Sequence, residues 1–278
     1  MKAVILAAGY GTRLQRDIDS DRSGHFQHLA GVAKPLLPVG RCALISHWAS
    51  VLTRTGCVDG IFVVTNALHH EAFQTWAQEF PNVRVLSDGT RANEDRLGAL
   101  ACLQLTIGHF SLDDHLIVIG GDTLFKEDFS LLKFMGRFSE LQAECGDSSL
   151  VLTYRCKDEE TSKYGILEVD HDLRATCMLE KPRPSETQSR KACPCFYLLS
   201  RTCLPLLPEF LHEKKFSNLA ILEPNCMARL GRTADASNPN SFAAILSRSF
   251  SPKPRGKDRS IFSHTGRPFK KLTTSSSK

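Results

Sequence analysis

The sequence predicts an α/β fold of three layers, with a mostly parallel β-sheet between two layers of helices. Short apolar runs recur along the first 120 residues, and stretches with helical spacing separate them. Strands that alternate with helices in this way are typical of a parallel sheet covered on both faces. In addition, glycines follow the first and the last of these runs, at Gly9, Gly11, Gly120 and Gly121. Ligands of such sheets bind beyond the carboxyl ends of the strands.

Apolar runs in the first half of the chain predict strands over 4–6, 61–65, 83–86 and 115–119. Helical spacing of apolar residues predicts helices over 43–55, 69–80, 93–105 and 129–144. The charged and polar stretch 15–33 has few apolar anchors and is interpreted as a surface loop or lid. In the second half we expect strands over 149–154, 166–169, 175–179 and 193–199, which form an inserted hairpin-rich region, and a proline-interrupted helix over 200–215.

The C-terminal quarter differs in composition from the rest. We expect one folded domain over 1–216, a poorly patterned segment over 217–250, and a disordered basic tail over 251–278. Residues 248–278 carry nine Lys or Arg and one acid, a net charge of +8, so the preceding residues sum to −3 in a chain of net charge +5. A mildly acidic body argues against a nucleic-acid-binding domain.

The composition is that of a globular protein with a real core, at 42% hydrophobic and 23% charged residues. No apolar run is long enough to span a bilayer, so no membrane partner is expected. The N-terminus lacks the layout of a signal peptide. Ten cysteines are scattered without a paired Cys-x-x-Cys module. We therefore expect reduced thiols and a cytoplasmic enzyme.

The stretch from Ala8 to Leu14 contains two glycines, a hydroxyl and an arginine directly behind the first strand. Glycine lets backbone N–H groups approach an anion, and Arg13 adds a planar, permanently charged donor for phosphate oxygens. The pattern predicts a phosphate-binding loop, with a simple tight turn as the alternative. It is neither the dinucleotide fingerprint nor the lysine-containing P-loop, because Leu14 stands where those motifs require other residues.

Lys34 precedes a proline, which restricts it to an extended conformation, so its ammonium group should be held with little freedom. Asp122 ends the strand predicted at 115–119, at the same sheet edge as the glycine loop. A carboxylate there can bind Mg²⁺ together with phosphate oxygens. A surface lysine and a turn aspartate are the alternatives. Later in the chain, Glu180 could accept hydrogen bonds from hydroxyls and Lys181 could hold a phosphate, unless the two form only a solvated ion pair.

In these four elements the chain resembles the sugar-1-phosphate nucleotidylyltransferases, a family that includes glucose-1-phosphate thymidylyl- and uridylyltransferases and mannose-1-phosphate guanylyltransferases. The elements occur in order over residues 1–213: Ala8-Gly9-x-Gly11-Thr12-Arg13, Lys34-Pro35-Leu36-Leu37-Pro38, Gly121-Asp122, and Tyr164-Gly165 with Glu180-Lys181-Pro182. The resemblance implies a Rossmann-like core, Mg²⁺ as the cofactor, and a nucleoside triphosphate and a sugar 1-phosphate as the substrates.

Carried over residue by residue, the resemblance assigns several roles. Arg13 and Lys34 would act at the reacting phosphates, and Asp122 would ligate Mg²⁺. The remaining nucleotide-binding residues would be Ala8, Gly9, Gly11, Thr12, Leu97 and Gly98, with Arg13 among them as well. The sugar 1-phosphate would be held by Tyr164, Gly165, Glu180 and Lys181, which lie in the inserted substrate-binding region.

The implied reaction is attack of a sugar-phosphate oxygen on the α-phosphorus with release of pyrophosphate. Positioning and charge neutralisation carry such a reaction, since a phosphate monoester is already anionic. The chain departs from the family in a longer span between Arg13 and Lys34 and in lacking a clear late metal-binding aspartate; Asp235 has no following glycine. The alternative is therefore a weakly active or inactive nucleotide-binding regulatory subunit, or a truncated variant. The nucleobase, the acceptor (a sugar or a phosphocholine-type group) and homo-oligomer formation are left open.

Overall fold

The computed structural model describes residues 1–125, 129–209 and 211. The chain divides into two compact units. The first contains Met1–Leu112 and Ile119–Leu124, and the second contains Asp113–Val118 and the described residues from Phe125 onward. The expected boundary at residue 216, the poorly patterned segment and the basic tail lie outside the described residues.

Strands and short helices alternate in the first unit. In chain order its elements are β1 (Lys2–Leu6), α1 (Thr12–Asp19), β2 (Pro38–Val39), β3 (Cys42–Ala43), α2 (Leu44–Arg54), β4 (Ile61–Thr65), α3 (His70–Ala77), β5 (Val83–Ser87), α4 (Ala99–Phe110) and the end of β6 (Leu116–Gly120). Single 3-10 turns occur at Gln27–Leu29, Lys34–Leu36 and Asn93–Asp95.

The sheet of this unit has the strand order β5-β4-β1, and β6 follows β1. β1 is parallel to β4, with Ala3 opposite Ile61, and β4 is parallel to β5, with Thr65 opposite Ser87. All five residues of β4 are buried, as a strand covered on both faces requires. The predicted α/β fold with a mainly parallel sheet is confirmed.

Two boundaries differ from the sequence prediction for identifiable reasons. Residues 15–19 are helical rather than part of a loop, because Leu14 and Ile18, one turn apart, bury their side chains in a cluster with Leu37. The helix expected over 93–105 begins instead at Ala99. Gly98 has a φ of 88°, which is incompatible with a continuous helix through this position.

The second unit is mostly antiparallel. Its elements are the first part of β6, α5 (Leu131–Glu144), β7 (Leu150–Val151), β8 (Tyr154–Arg155), β9 (Gly165–Val169), β10 (Ala175–Glu180), β11 (Lys191–Cys193) and β12 (Phe196–Leu199). One sheet has the order β10-β9-β11-β8, and β12 pairs antiparallel with β7. The strand expected over 149–154 is thus two short strands that join different sheets. The hairpin-rich insertion is observed.

Two further expectations concern regions that the structure describes only in part. Of the predicted helix over 200–215, the structure shows a 3-10 turn at Arg201–Cys203 and helical residues at 206–209. None of the helices among the described residues is long and apolar enough to cross a membrane. Cys42, Cys57, Cys145, Cys156 and Cys203 are free thiols, as expected for them from the sequence.

His115 couples the stability of the second unit to pH. Its Nδ1 accepts a hydrogen bond from the backbone N–H of Arg201 at 3.1 Å, and its ring packs edge-on against Phe138 at 5.2 Å. Burial and the Arg201 charge lower the pKa of this imidazole below 6.5, although Asp114 opposes the shift. The unfolded chain therefore binds more protons below pH 6.5, and stability falls as the pH drops through that value.

We predict that His115→Asn, whose side-chain oxygen can still accept from the Arg201 N–H, flattens the decline of the unfolding midpoint between pH 7 and pH 5. Urea denaturation at each pH measures the unfolding midpoint. His171→Asn is the matched control, because the His171 side chain is 88% exposed. An equal slope in wild type and His115→Asn would contradict the assignment.

Candidate functional site

The glycine loop connects β1 to α1 at the carboxyl end of the parallel strands. The chain stays in the sheet as far as Ala7, whose N–H donates to the Val64 carbonyl at 2.8 Å. Gly11 then takes a φ of 62° and a ψ of 24° as the residue that caps α1. An L-residue is strained in this left-handed region, which explains a glycine here. Around Gly9 and Gly11 there is open space where a side chain would project.

The N-terminus of α1 contributes amide donors to this loop. Thr12 and Arg13 are exposed and form the first turn, which contains no acidic residue. The first amides of a helix have no partner within the helix, and together with the helix dipole they favour an anion. The sequence interpretation placed these donors in a loop, whereas the structure places them on a helix terminus, which fixes their direction.

Asn66 and Thr90, which the sequence interpretation did not single out, hold the loop on either side of Gly9. The Asn66 side-chain amide donates to the Ala8 carbonyl at 3.2 Å, and the Tyr10 hydroxyl donates to Thr90 Oγ1 at 2.8 Å. Asn66 follows β4 directly, so the argument from strand ends that selected Asp122 applies to it equally. Thr90 has no comparable signal in the sequence.

Lys34 and Asp122, 88 positions apart in the chain, form an ion pair with 2.9 Å between Nζ and Oδ2. The side chains are 19% and 30% exposed. Pro35 is buried in the 3-10 turn that begins at Lys34, and this anchors the backbone from which the lysine extends. The structure thus brings these two predicted site residues together within the first unit.

Gly121 packs closely against the end of β1 and against Pro35. Its N–H donates to the Leu6 carbonyl at 2.9 Å. A Cβ atom on Gly121 would lie 3.0 Å from that carbonyl oxygen, 3.1 Å from Pro35 Cγ and 3.3 Å from Ala7 Cβ. Three chain segments therefore converge at this point, and a Cβ atom there would require its neighbours to shift by a few tenths of an ångström.

Leu97 and Gly98 stand at the start of α4. Gly98 precedes the helix with its φ of 88°, and the Leu97 side chain is 45% exposed. An exposed leucine beside a helix terminus offers an apolar surface at the start of α4. These two residues belong to the first unit, like the glycine loop, Lys34 and Asp122.

The four remaining predicted residues meet in the second unit, around the start of β9. Gly165 lies opposite Glu180 of β10, and the Lys181 N–H donates to the Tyr164 carbonyl at 3.0 Å. Lys181 Nζ lies 2.6 Å from Glu180 Oε1. Lys181 has a φ of 50°, a strained conformation for a residue with a Cβ.

Tyr164 also belongs to an apolar cluster of this unit. Its ring lies edge-on to Tyr154, with 5.8 Å between the ring centres, beside buried Ile166 and Ala192. Burial first, and the hydrogen bond with Tyr164 second, raise the pKa of the Tyr154 hydroxyl far above its usual range. Tyr154 therefore stays neutral, and the two rings pack in the apolar cluster next to Gly165 in the chain.

A divalent cation in the first unit would need oxygen ligands near Asp122. Among the described residues, no group of three or more His, Cys, Asp and Glu side chains could hold a metal ion. Asp122 supplies one carboxylate next to a loop suited to phosphates. Mg²⁺ commonly binds one or two carboxylates, with substrate phosphates and water completing its shell. Asp122 fits such a shared site, in which substrate phosphates and water complete the coordination.

Comparison with known proteins identifies the class. The family model for nucleotidyl transferases matches residues 2–228, and the chain belongs to this family.

Individual relatives are distant. The chain is similar to a glucose-1-phosphate thymidylyltransferase of Neisseria gonorrhoeae, with 30% identity over 190 residues that cover 66% of this chain and 56% of the relative. It is also similar to a mannose-1-phosphate guanyltransferase of Pichia angusta, with 24% identity, 74% of this chain and 51% of the relative. The chain thus spans about half the length of the curated relatives it matches.

Solved structures agree on the fold. A protein of Bacillus anthracis assigned as a glucose-1-phosphate thymidylyltransferase, crystallised with sucrose, has a TM-score of 0.66 and 20% identity, covering 90% of this chain and 87% of its own. A UDP-glucose pyrophosphorylase complexed with UDP-glucose has a TM-score of 0.57, also at 20% identity, covering 75% of this chain and 79% of its own. At this level of identity the likeness establishes the fold alone.

The crowding at Gly121 yields a steric prediction. Gly121→Ala should destabilise the protein by about 1–3 kcal/mol, because a backbone carbonyl and a buried proline cannot move aside cheaply. Gly136→Ala is the matched control. Gly136 is exposed inside α5 with open space around it, so alanine there should stabilise by about 1 kcal/mol. Urea denaturation measures the free energy of unfolding of both variants. A Gly121→Ala variant that is no less stable than the wild type would refute the close approach.

Proposed function

We propose that this chain transfers a nucleoside monophosphate from a nucleoside triphosphate to a sugar 1-phosphate and releases pyrophosphate. The observation that carries the proposal is the Lys34–Asp122 pair, in which a cation and a carboxylate lie 2.9 Å apart in the same unit as the glycine loop. This arrangement supports a site for phosphates and a metal ion. Family membership and the names of the relatives support the same reaction class.

In the first unit, the amides of Gly9, Gly11 and Thr12 would bind the triphosphate, and Arg13 would add a charged donor. Ala8, Leu97 and Gly98 would contact the base and ribose. The exposure of Arg13 supports this assignment, because among the described residues it has no ion-pair partner that would compete with a phosphate.

In the second unit, Tyr164, Gly165, Glu180 and Lys181 would hold the sugar 1-phosphate. Glu180 accepts hydrogen bonds from hydroxyl groups, and Lys181 attracts the phosphate as a point charge. The Glu180 carboxylate neutralises the Lys181 ammonium group, with 2.6 Å between Oε1 and Nζ. An arriving phosphate would therefore compete with Glu180 for the ammonium group.

The proposed reaction needs no strong general base, because the attacking phosphate monoester is already anionic. A phosphate monoester oxygen attacks the α-phosphorus of the triphosphate, the bond from that phosphorus to the bridging oxygen breaks, and pyrophosphate leaves with the electron pair. Positioned cations stabilise the charge that accumulates in the transition state. Lys34 would serve this purpose, and Asp122 would keep it oriented until substrate binds.

Mg²⁺ is the proposed cofactor, with Asp122 as its protein ligand. When bound, it would neutralise phosphate charge and so lower the cost of bringing two anionic substrates together. A cytoplasmic location is proposed as well, and the free thiols of five cysteines support it, since such thiols persist in reducing compartments.

The test is release of pyrophosphate from each nucleoside triphosphate with a panel of sugar 1-phosphates and Mg²⁺. Lys34→Ala and Asp122→Asn should each lower kcat/KM by about 100-fold, because each removes a charge at the reacting phosphates. Removal of Mg²⁺ with EDTA should abolish turnover.

The matched control is another Lys–Asp pair of the first unit. Lys2 Nζ lies 2.6 Å from Asp59 Oδ2 and Asp59 is 61% exposed, so Lys2→Ala and Asp59→Asn should leave kcat/KM within about twofold. A folded wild-type protein that turns over none of the substrate pairs would refute the proposal. Nucleotide binding without turnover would indicate a regulatory subunit instead.

A further inference from the structure

We propose that Tyr10, Thr90 and Asp88 form a chain of hydrogen bonds that holds the glycine loop ready for the triphosphate, with Tyr10 as a positioning residue. The inference rests on the proposed function. It starts from a physical difficulty: a loop with two glycines has many accessible conformations, and binding a ligand must offset the entropy of ordering it. A loop already held in one conformation avoids that cost.

The direction of each hydrogen bond in the chain is fixed. Thr90 donates its hydroxyl proton to Asp88 Oδ1 at 2.7 Å, and its N–H donates to the same oxygen at 2.8 Å. A hydroxyl has one proton, so Thr90 Oγ1 can only accept from the Tyr10 hydroxyl, which lies at 2.8 Å. Thr90 is 8% exposed, so water competes weakly for these bonds.

The far end of the chain is anchored in the sheet. Asp88 donates its N–H to the Thr65 carbonyl at 2.7 Å, and the Thr90 carbonyl accepts from the Ala67 N–H at 2.9 Å. Thr65 is the last residue of β4 and is fully buried. Tyr10 is therefore connected, through two side chains, to a part of the backbone that cannot shift without breaking the sheet.

A second connection holds the other side of the loop. Asn66 donates to the Ala8 carbonyl at 3.2 Å, and its side-chain oxygen accepts the His69 N–H at 3.0 Å. Asn66 is fully buried, so neither bond can be exchanged for water without a cost. Gly9 is held between the two fixed neighbours, with open space above it where a phosphate would contact its amide.

This arrangement points to a ligand rather than to stability alone. The Tyr10 hydroxyl bond holds a loop whose central residue, Gly9, is exposed. Residues 88–90 also lead to Leu97 and Gly98, the residues proposed to contact the nucleobase. The same chain would therefore fix the distance between the phosphate-binding and base-binding ends of the nucleotide site.

The experiment compares Tyr10→Phe and Thr90→Val with the wild-type enzyme in steady-state kinetics. A single neutral hydrogen bond accounts for roughly a five- to tenfold change in affinity. We expect the KM for the nucleoside triphosphate to rise by about that factor in Tyr10→Phe and by more in Thr90→Val. The KM for the sugar 1-phosphate and kcat should stay within about twofold, since the loop contacts only the nucleotide. Thr90→Ser should restore the wild-type values.

Thr75→Val is the matched control. Thr75 is exposed on the outer face of α3, where its hydroxyl donates to the Glu71 carbonyl at 3.1 Å, and this variant should resemble wild type. Hydrogen–deuterium exchange without ligand gives a second readout: the amides of residues 8–11 should exchange faster in Tyr10→Phe, and those of β4 should not. Unchanged exchange together with an unchanged nucleotide KM would overturn the inference. If the wild type shows no turnover, the proposed function fails and the exchange rates alone decide whether the chain holds the loop.

Discussion

Parallel pairing of β1, β4 and β5 is the constraint on which the rest of the first unit depends. The register sets Leu6 opposite Val64 and Thr65 opposite Ser87, so the chain leaves all three strands at the same edge. Tyr10, Asn66 and Asp88 each follow the end of one of these three strands. A one-residue shift in register would send alternate side chains to the other face and would separate Tyr10 from Thr90. The buried strands thus secure a surface that they do not themselves form.

At that edge, charge is balanced before any ligand arrives. The Lys34–Asp122 pair is partly buried, and each group would be costly to leave alone there. The Glu180–Lys181 pair of the second unit has the same character with more exposure. In both pairs an anionic substrate would replace an internal carboxylate as the partner of a lysine. Such pairs add little to stability but keep long side chains oriented in the free protein.

The fold class and the strands of the first unit could be predicted from the sequence, because a continuous apolar run indicates a buried strand. It also placed Asp122 and the glycine loop at one edge, because parallel strands leave no other arrangement. It could not supply the contact between Lys34 and Asp122, which depends on how the turn at Pro35 packs beneath Gly121. It missed the start of α1, because Leu14 and Ile18 bury against Leu37, a residue distant in sequence. Thr90 could not be predicted for the same reason, because its partners Tyr10 and Ala67 are distant in sequence.

Gly11 and Gly121 of the first unit and Gly165 of the second each serve a different physical purpose within their own unit. Gly11 is required for its conformation, because its φ of 62° is costly for other residues and its surroundings are open. Gly121 is required for space, because backbone and proline surround it. At Gly165 a Cβ would meet Met178 Cε at 2.6 Å, the movable end of a flexible side chain. Substitution there would displace Met178 rather than the sheet. Glycines therefore do not all confer flexibility. Gly11 allows the chain to bend, Gly121 allows the backbone of Leu6 to approach, and at Gly165 the side chain of Met178 could move aside.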